Sequence, residues 1–287
     1  MHINRFEVKR RKHYFCPLSV LHVIKSMQHR TFYLVANLLG AIVLLFIIAP
    51  LAGIVISTDL KDVAVAVSDK QVSTSIWLTV TASISATLIF ALLSLPFAWL
   101  LARKKFVLKR LISGIIDLPV VIPHTAAGIA LLGVISRHSP AGKLAALIGF
   151  DFIGHPSGII IAMAFVSLPF FINSARDGFA SVPERLEKAA LNLGASPAKV
   201  FLTISVPLAM RQIVSGGVMM FARGMSEFGA VVIIAYHPMV APILIFERFS
   251  SFGLQYARPV AVILIVLSVV FFLLMRLMTK DAENARN

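Results

Sequence analysis

The sequence predicts an all-α integral membrane protein with six transmembrane helices, on three observations. Hydrophobic residues make up 58% of the 287 positions and charged residues only 14%, more apolar surface than a water-soluble domain uses. Six apolar runs reach the roughly 20 residues that a helix needs to cross the hydrocarbon core: 31–57, 75–102, 111–135, 156–176, 211–236 and 258–279. Lysine and arginine are unevenly shared between the connecting segments. One side of such a bundle receives 20, the other six, and Arg223 falls inside a run. Cationic loops stay in the cytoplasm, so the bias puts both termini there.

Each element follows from local chemistry. Residues 1–30 form a basic tail with Lys9-Arg10-Arg11-Lys12. The run 31–57 is longer than a signal-peptide core of about 7–15 residues and has no convincing small-residue cleavage site, so it is expected to be a retained span. Arg103-Lys104-Lys105 closes the second run and Lys109-Arg110 opens the third; these cations cannot lie in hydrocarbon and separate two spans. Pro119 and Pro123 stand four apart in the third run, on one helical face. Each removes a backbone donor and crowds the preceding turn, so this helix should be kinked or broken. Asp117 is placed to cap its start. A polar loop, 181–210, separates the fourth and fifth runs. The transmembrane domain is thus 31–280, followed by a cytoplasmic tail at 281–287. A single cysteine, Cys16, excludes an internal disulfide. The net charge of +14 does not point to nucleic acid, because the charges sit at the ends of apolar runs and not on one polar face.

The loop between the fourth and fifth spans carries the most specific pattern. Ser181-Val182-Pro183-Glu184 reads as a capping box. Leu186, Ala189, Ala190 and Leu193 then share a helical face, with Glu184 and Lys188 paired at i,i+4 on the other. Gly194 is placed to end this helix in the left-handed conformation. Ser196-Pro197 starts a second helix as N-cap and N1, which Pro207 should bend or stop. Two short helices joined at a glycine, with small residues on the first, let a partner's groove approach the backbone closely. Capped helices alone would equally suit a plain surface hairpin.

Ala189-Ala190, Gly194, Ile204 and Pro207 resemble the EAA loop of ABC-importer inner-membrane subunits, a pattern of E-A-A-x-x-x-G followed after nine residues by I-x-L-P. Lys188 stands at the usual Glu position, with Glu187 one place earlier, and Val206 replaces Leu. Ala98–Arg103 (AWLLAR), Leu118–Leu132 (LPVVIPHTAAGIALL) and Phe221–Ala230 (FARGMSEFGA) are similar to the same family, nearest its molybdate/tungstate branch and next its sulfate/thiosulfate branch. The resemblance covers residues 30–280. It implies an ABC type I importer permease that moves a tetrahedral oxyanion by alternating access. It implies ABC ATPase subunits that bind ATP and Mg, and an extracytoplasmic oxyanion-binding protein, as partners; one docking loop per chain points to a second permease copy in a homodimer, and a heterodimer with another permease also fits the sequence. The implied ATPase-docking set is Glu187, Lys188, Ala189, Ala190, Gly194, Ala195, Ile204 and Pro207.

Candidate path residues are Pro119, Pro123, His124, Arg223 and Glu227. The two prolines serve either a gate hinge or a packing kink, and His124 suits a hydrogen-bonded packing role better than a ligand. Arg223 and Glu227 stand i,i+4 within a span, where pairing offsets the cost of charge in lipid. A carboxylate is a poor ligand for a dianion, so the pair is expected to pin the helix near the outer gate. Ser75, Thr79, Ser83 and Thr87 make one hydroxyl stripe, facing hydrated space or, more commonly, neighbouring helices. Ser215-Gly216-Gly217, Gly224, Ser226 and Gly229-Ala230 point to close helix contact, at a subunit interface along the pore axis. The chain has no phosphate-cradling G-x-x-x-x-G-K-[ST] loop, no H-E-x-x-H and no nucleophile elbow. It is therefore expected to hold no cofactor or metal and to catalyse nothing alone. An ATP-independent channel or carrier would need coupled intramembrane charges, and only Arg223 and Glu227 qualify.

Overall fold

The computed structural model describes the backbone of residues 18–284 except residue 148, and the side chains of 32–274 with the same exception. Lys9–Lys12, Cys16 and residues 285–287 lie outside the described residues. All regular elements described are helical: α1 (Leu18–Ile56), α2 (Leu60–Ser68), α3 (Lys70–Arg103), α4 (Lys109–Val121), α5 (His124–Ile135), α6 (Pro140–Leu147), α7 (Pro156–Ser181), α8 (Glu184–Asn192), α9 (Pro197–Val200), a π-helical turn (Phe201–Ser205), α10 (Val206–Met225), α11 (Gly229–Ile234), α12 (Ala241–Phe252) and α13 (Leu254–Asn284). The chain divides into two units, 1–57 and 58–287. Over its described residues the first unit is the helix α1, which begins at Leu18 and so extends back into the segment predicted as a tail.

Five helical stretches are long and apolar enough to span a bilayer: Phe32–Ile56, Lys70–Arg103, Pro156–Ser181, Pro197–Met225 and Leu254–Leu274. The predicted third span is two helices, α4 and α5, that meet at 113°. Pro123 stands at the N-cap of α5 with φ −54° and ψ 133°, and Ile122 before it is extended. A residue ahead of proline is pushed out of the helical region, so Pro123 breaks the run, while Pro119 is accommodated inside α4.

The predicted fifth span differs at both ends. Its helix stops at Met225, not 236, and the chain resumes as the short α11. At the other end Pro207 does not stop the helix, which runs on from Pro197 to Met225. Residues 201–205 form a π turn in which the Val206 amide donates to the Phe201 carbonyl, five residues back, and Pro207 then sits in the first turn of α10. The first turn is where a missing amide costs nothing.

The central helix of the second unit is α7, packed against α3 and α10 and also touching α4, α5 and α11. In lipid the tails are as apolar as leucine, so close backbone approach drives helix association. The contact of α7 with α10 is built that way: a Cβ on Gly178 would meet Gln212 Cβ at 2.6 Å, and one on Gly216 would meet Ser174 Cβ at 2.8 Å. Gly216, Gly224 and Gly229 of the fifth run therefore serve packing inside this chain, while Ser215 and Ser226 are exposed. A Cβ on Gly224 would lie 3.7 Å from Met163 and Ser83, and one on Gly229 would collide with His124. The hydroxyl stripe is also internal. Ser75, Thr79, Ser83 and Thr87 are buried; Thr79 Oγ1 donates to the Ser75 carbonyl at 2.7 Å and accepts the Ala241 amide at 2.8 Å, tying α3 to the start of α12.

Candidate functional site

The polar segment between α7 and α10 folds as helix, glycine turn, helix. Ser181 is the last residue of α7 and its hydroxyl donates to the Gly178 carbonyl at 2.7 Å, so the predicted capping box does not form. Pro183 is the N-cap of α8 instead, and Glu184 is free to pair with Lys188 at 2.8 Å. At the far end Gly194 has φ +88°, its amide donates to the Leu191 carbonyl at 2.9 Å, and the Ala195 amide donates to Ala190 at 3.1 Å. That is a Schellman closure, which requires a left-handed residue at the glycine. Nothing lies within 4 Å of where a Gly194 Cβ would be, so backbone conformation and not space selects glycine. Ser196 caps α9, its hydroxyl accepting the Lys199 amide at 3.4 Å, with Pro197 in the first turn.

One face of α8 is left without cover. Leu193 is 89% exposed and Leu186 42%, with Ala189 exposed between them; Lys188 and Leu191 (42%) are exposed on other sides of the helix. Ala190, Ala195 and Ile204 are half-buried, and Pro207 is exposed. Five charged residues within 184–199 keep this segment out of hydrocarbon. Exposed leucines on a segment outside the bilayer make this face a candidate contact surface.

The opposite face carries Glu187, which turns inward. Its carboxylate is bidentate to Arg103 (Oε2 to Nε and Oε1 to Nη2, both 2.8 Å), accepts from the Ser205 hydroxyl at 2.6 Å and faces Trp99 Nε1 at 3.4 Å. Arg103 Nη2 also donates to the Val182 carbonyl at 3.0 Å. Trp99 and Phe201 close over the pair edge to face, 5.7 Å between centroids, and Phe201 stands 5.9 Å from Phe179. Burial pushes the Glu187 carboxyl up, but the bonds from Arg103 and Ser205, the Arg103 charge and the Trp99 bond outweigh it and hold it below its ordinary value. One side chain thus ties α8 to the end of α3 and to the π turn. The sequence places Glu187 on the docking surface with Lys188; the structure separates them. It also recruits Trp99, Arg103 and Ser205, which sequence reasoning missed. A signal was present: Glu184 has a cation four residues on, whereas Glu187 has none at i±3 or i±4, so its partner had to come from afar.

The candidate path residues meet at the two helix breaks. Glu227 is buried and its Oε2 lies 2.9 Å from Arg223 Nη2 and 3.2 Å from His124 Nδ1. Arg223 Nη2 lies 2.8 Å from each ring nitrogen of His124. Glu227 Oε1 accepts the Ala230 amide at 2.8 Å, satisfying an orphan donor at the start of α11. The cluster locks the first turn of α5 to the α10–α11 break. Pro123 adjoins it through His124, whereas Pro119 is buried in α4. Asp117 does not cap a span: it lies within α4 and accepts from Asn173 Nδ2 at 2.7 Å on α7. Among the described residues no group of three or more His, Cys, Asp or Glu could hold a metal ion.

Residues 94–283 match the family of binding-protein-dependent transport system inner membrane components. The chain belongs to that family. It is 40% identical over 258 residues to a molybdate/tungstate transport system permease protein of Pyrococcus abyssi, covering 88% of this chain and 98% of that one. It is 34% identical over 200 residues to a probable sulfate transport system permease protein of Chlorokybus atmophyticus, covering 68% and 69%. In fold the family member is similar to a chain of a bacterial ABC transporter involved in the import of the acidic polysaccharide alginate, with TM-score 0.69, 17% identity, and 91% and 99% covered. The chain is therefore a multi-pass membrane protein with an ABC-importer permease fold, as the six apolar runs and the EAA-like loop predict.

Proposed function

We propose that this chain is the membrane-spanning subunit of an ATP-driven importer for molybdate or tungstate, assembled as a homodimer with two ATPase subunits and fed by an extracytoplasmic oxyanion-binding protein. The observation that carries the substrate is the 40% identity to a molybdate/tungstate permease along 98% of that relative's length. What supports the coupling mechanism is the α8–α9 unit: an uncovered leucine and alanine face directed outward, and a buried ion pair directed inward.

The proposed sequence of events follows. With both termini in the cytoplasm, α8 enters a groove of the ATPase, which binds ATP and Mg. Closure of the ATPases on ATP displaces α8. Glu187 passes the displacement to α3 through Arg103 and to the α10 rod through Ser205. The two permease copies rock between inward-facing and outward-facing states. The Arg223–Glu227–His124 cluster keeps the breaks between α4 and α5 and between α10 and α11 in register during that movement. Hydrolysis belongs to the partner. This chain converts its stroke into a change in the side to which the path opens.

The test is uptake into vesicles holding the permease, its ATPase and its binding protein. ATP-dependent accumulation of tungstate or molybdate that excess sulfate does not suppress is the expected result. Sulfate accumulating equally well would favour the second reading, a sulfate permease, which rests on the 34% relative. Labelling of Lys199 from the outside of intact cells would end the docking scheme, because ATP is cytoplasmic.

A further inference from the structure

The turn between α3 and α4 has no part in the machinery above, and its composition is unusual. No aspartate or glutamate occurs from residue 70 to 116, yet Arg103, Lys104, Lys105, Lys109 and Arg110 fall within eight positions. Arg103 is committed to Glu187. Lys104, Lys105, Lys109 and Arg110 form no ion pair among the described residues. Between them the chain exposes apolar groups: Val107 fully, Leu108 at 57% and Phe106 at 39%. An open cleft of about 720 Å³ is lined by Lys105, Phe106, Val107, Lys109, Arg110 and Ser113.

Positive-inside orientation accounts for cations at the end of a span, but not for a bare valine and phenylalanine among them. Water disfavours those side chains and lipid does not. The continuation decides the environment. Leu111, Ile115 and Leu118 follow at i, i+4 and i+7 along α4, all exposed by half or more, so one apolar stripe runs from the turn down the helix. Acyl chains or a second permease copy can cover such a stripe, and the cations at its end favour lipid. Its upper end meets the cations at headgroup depth, where lysine and arginine stems extend to the interface.

We propose that this turn is a binding site for an anionic phospholipid. The headgroup phosphate is held by Lys105, Lys109 and Arg110, with the Ser113 hydroxyl as a further donor. An acyl chain lies on Phe106 and Val107 and continues along Leu111 and Ile115. Lysine supplies point charges to phosphate and arginine a planar fork, and neutralisation by lipid explains why no acidic side chain is needed. The site rests on α3 and α4 lying in the bilayer and not on which oxyanion is carried.

The full-length permease, alone and with its ATPase, is titrated with phosphatidylglycerol or phosphatidylcholine of identical chains and read by native mass spectrometry. A saturable first site should prefer phosphatidylglycerol. Each cation is worth roughly fivefold, so Lys105→Gln, Lys109→Gln and Arg110→Gln together should erase the preference. Those changes can disturb insertion, so a second variant, Phe106→Ser with Val107→Ser, keeps every charge and should weaken both lipids while leaving some preference for the anionic one. Equal binding of the two lipids by the wild type, or unchanged phosphatidylglycerol binding in either variant, overturns the proposal. So does full competition by soluble glycerol phosphate, which would make this a site for a free anion, or loss of lipid binding when the ATPase docks, which would make the turn a protein interface.

Discussion

Among the described residues two carboxylates are buried, each held by an arginine, and they are built for different tasks. Glu227, in the break after α10, finds its arginine four residues back in the last turn of that helix, adding His124 and the Ala230 amide. Glu187 finds Arg103 at the far end of another helix, 84 positions away in sequence, and adds Ser205 and Trp99. A local pair can set the shape of one break, and its loss is felt there. A distant pair joins elements that otherwise touch little, so it can pass a displacement from one to the other. Both cost desolvation, and removing one partner of such a pair leaves an uncompensated charge, worth about 3–5 kcal/mol.

The largest expected effect therefore comes from alanine at either carboxylate. Glu187→Ala and Glu227→Ala should each lower the thermal midpoint of the purified complex and abolish uptake. They should part company in assembly. Glu187→Ala should reduce recovery of the ATPase with the permease and separate ATP hydrolysis from transport. Glu227→Ala should leave co-purification intact. Equal ATPase recovery in both variants would erase the distinction drawn between a joint and a pin. Exchanging the partners, Arg103→Glu with Glu187→Arg, sharpens it further: a double variant that recovers ATPase recruitment beyond either single change reports a direct pairwise coupling.

A step below comes Gly194, which fixes the angle between α8 and α9. A β-branched residue at φ +88° is strained by about 1–3 kcal/mol. Gly194→Val should weaken ATPase association and uptake while the spans still insert. Gly194→Asn, which accepts the left-handed region, should lose much less. If valine and asparagine behave alike, the requirement at 194 is not conformational.

How far these features were legible depends on whether they are local. The glycine closure at 194, the Ser196-Pro197 start and the Glu184–Lys188 pair are written in neighbouring residues, and the structure has all of them; of the six apolar runs, five correspond to spanning helices and the third is a broken pair. The Pro123 break was legible for the same reason, though not its 113° bend, since a missing donor says that a helix fails and not where its continuation goes. The end of α10 at Met225 was hidden by an apolar run that continues to residue 236. Glu227 three positions before the Ala230 amide, with glycines on both sides, was the available sign. The Glu187–Arg103 joint could not be read out directly, because its members stand 84 positions apart in sequence and no periodicity links them. For the same reason the sequence did not show that Gly216 and Gly224 pack on α7 and α3 within one chain.

Lys188 tests the outer side of the same helix. It occupies the usual glutamate position of the loop and is exposed, paired only with exposed Glu184. Exposed pairs contribute little, so Lys188→Ala should leave the thermal midpoint unchanged. Any loss of ATPase recovery would then report the docking surface itself and not the joint behind it.

The smallest effect near neutrality is the response to pH, and its sign separates the joint from a bland core contact. The Glu187 carboxyl is held below its ordinary 4.5 despite burial, chiefly by the Arg103 and Ser205 bonds. A depressed carboxylate favours the folded state above the unfolded value and loses that contribution as pH falls through the folded one. Stability from the joint is thus full at neutral pH and flat across about pH 6–8, and declines only in acid below 4.5. Unfolding of the purified permease followed as pH is lowered should show that acid loss in the wild type. Glu187→Gln starts less stable and lacks this contribution to the decline. An identical acid limb in both proteins would show that the carboxylate at 187 does not hold α8 to α3 in the way its geometry implies.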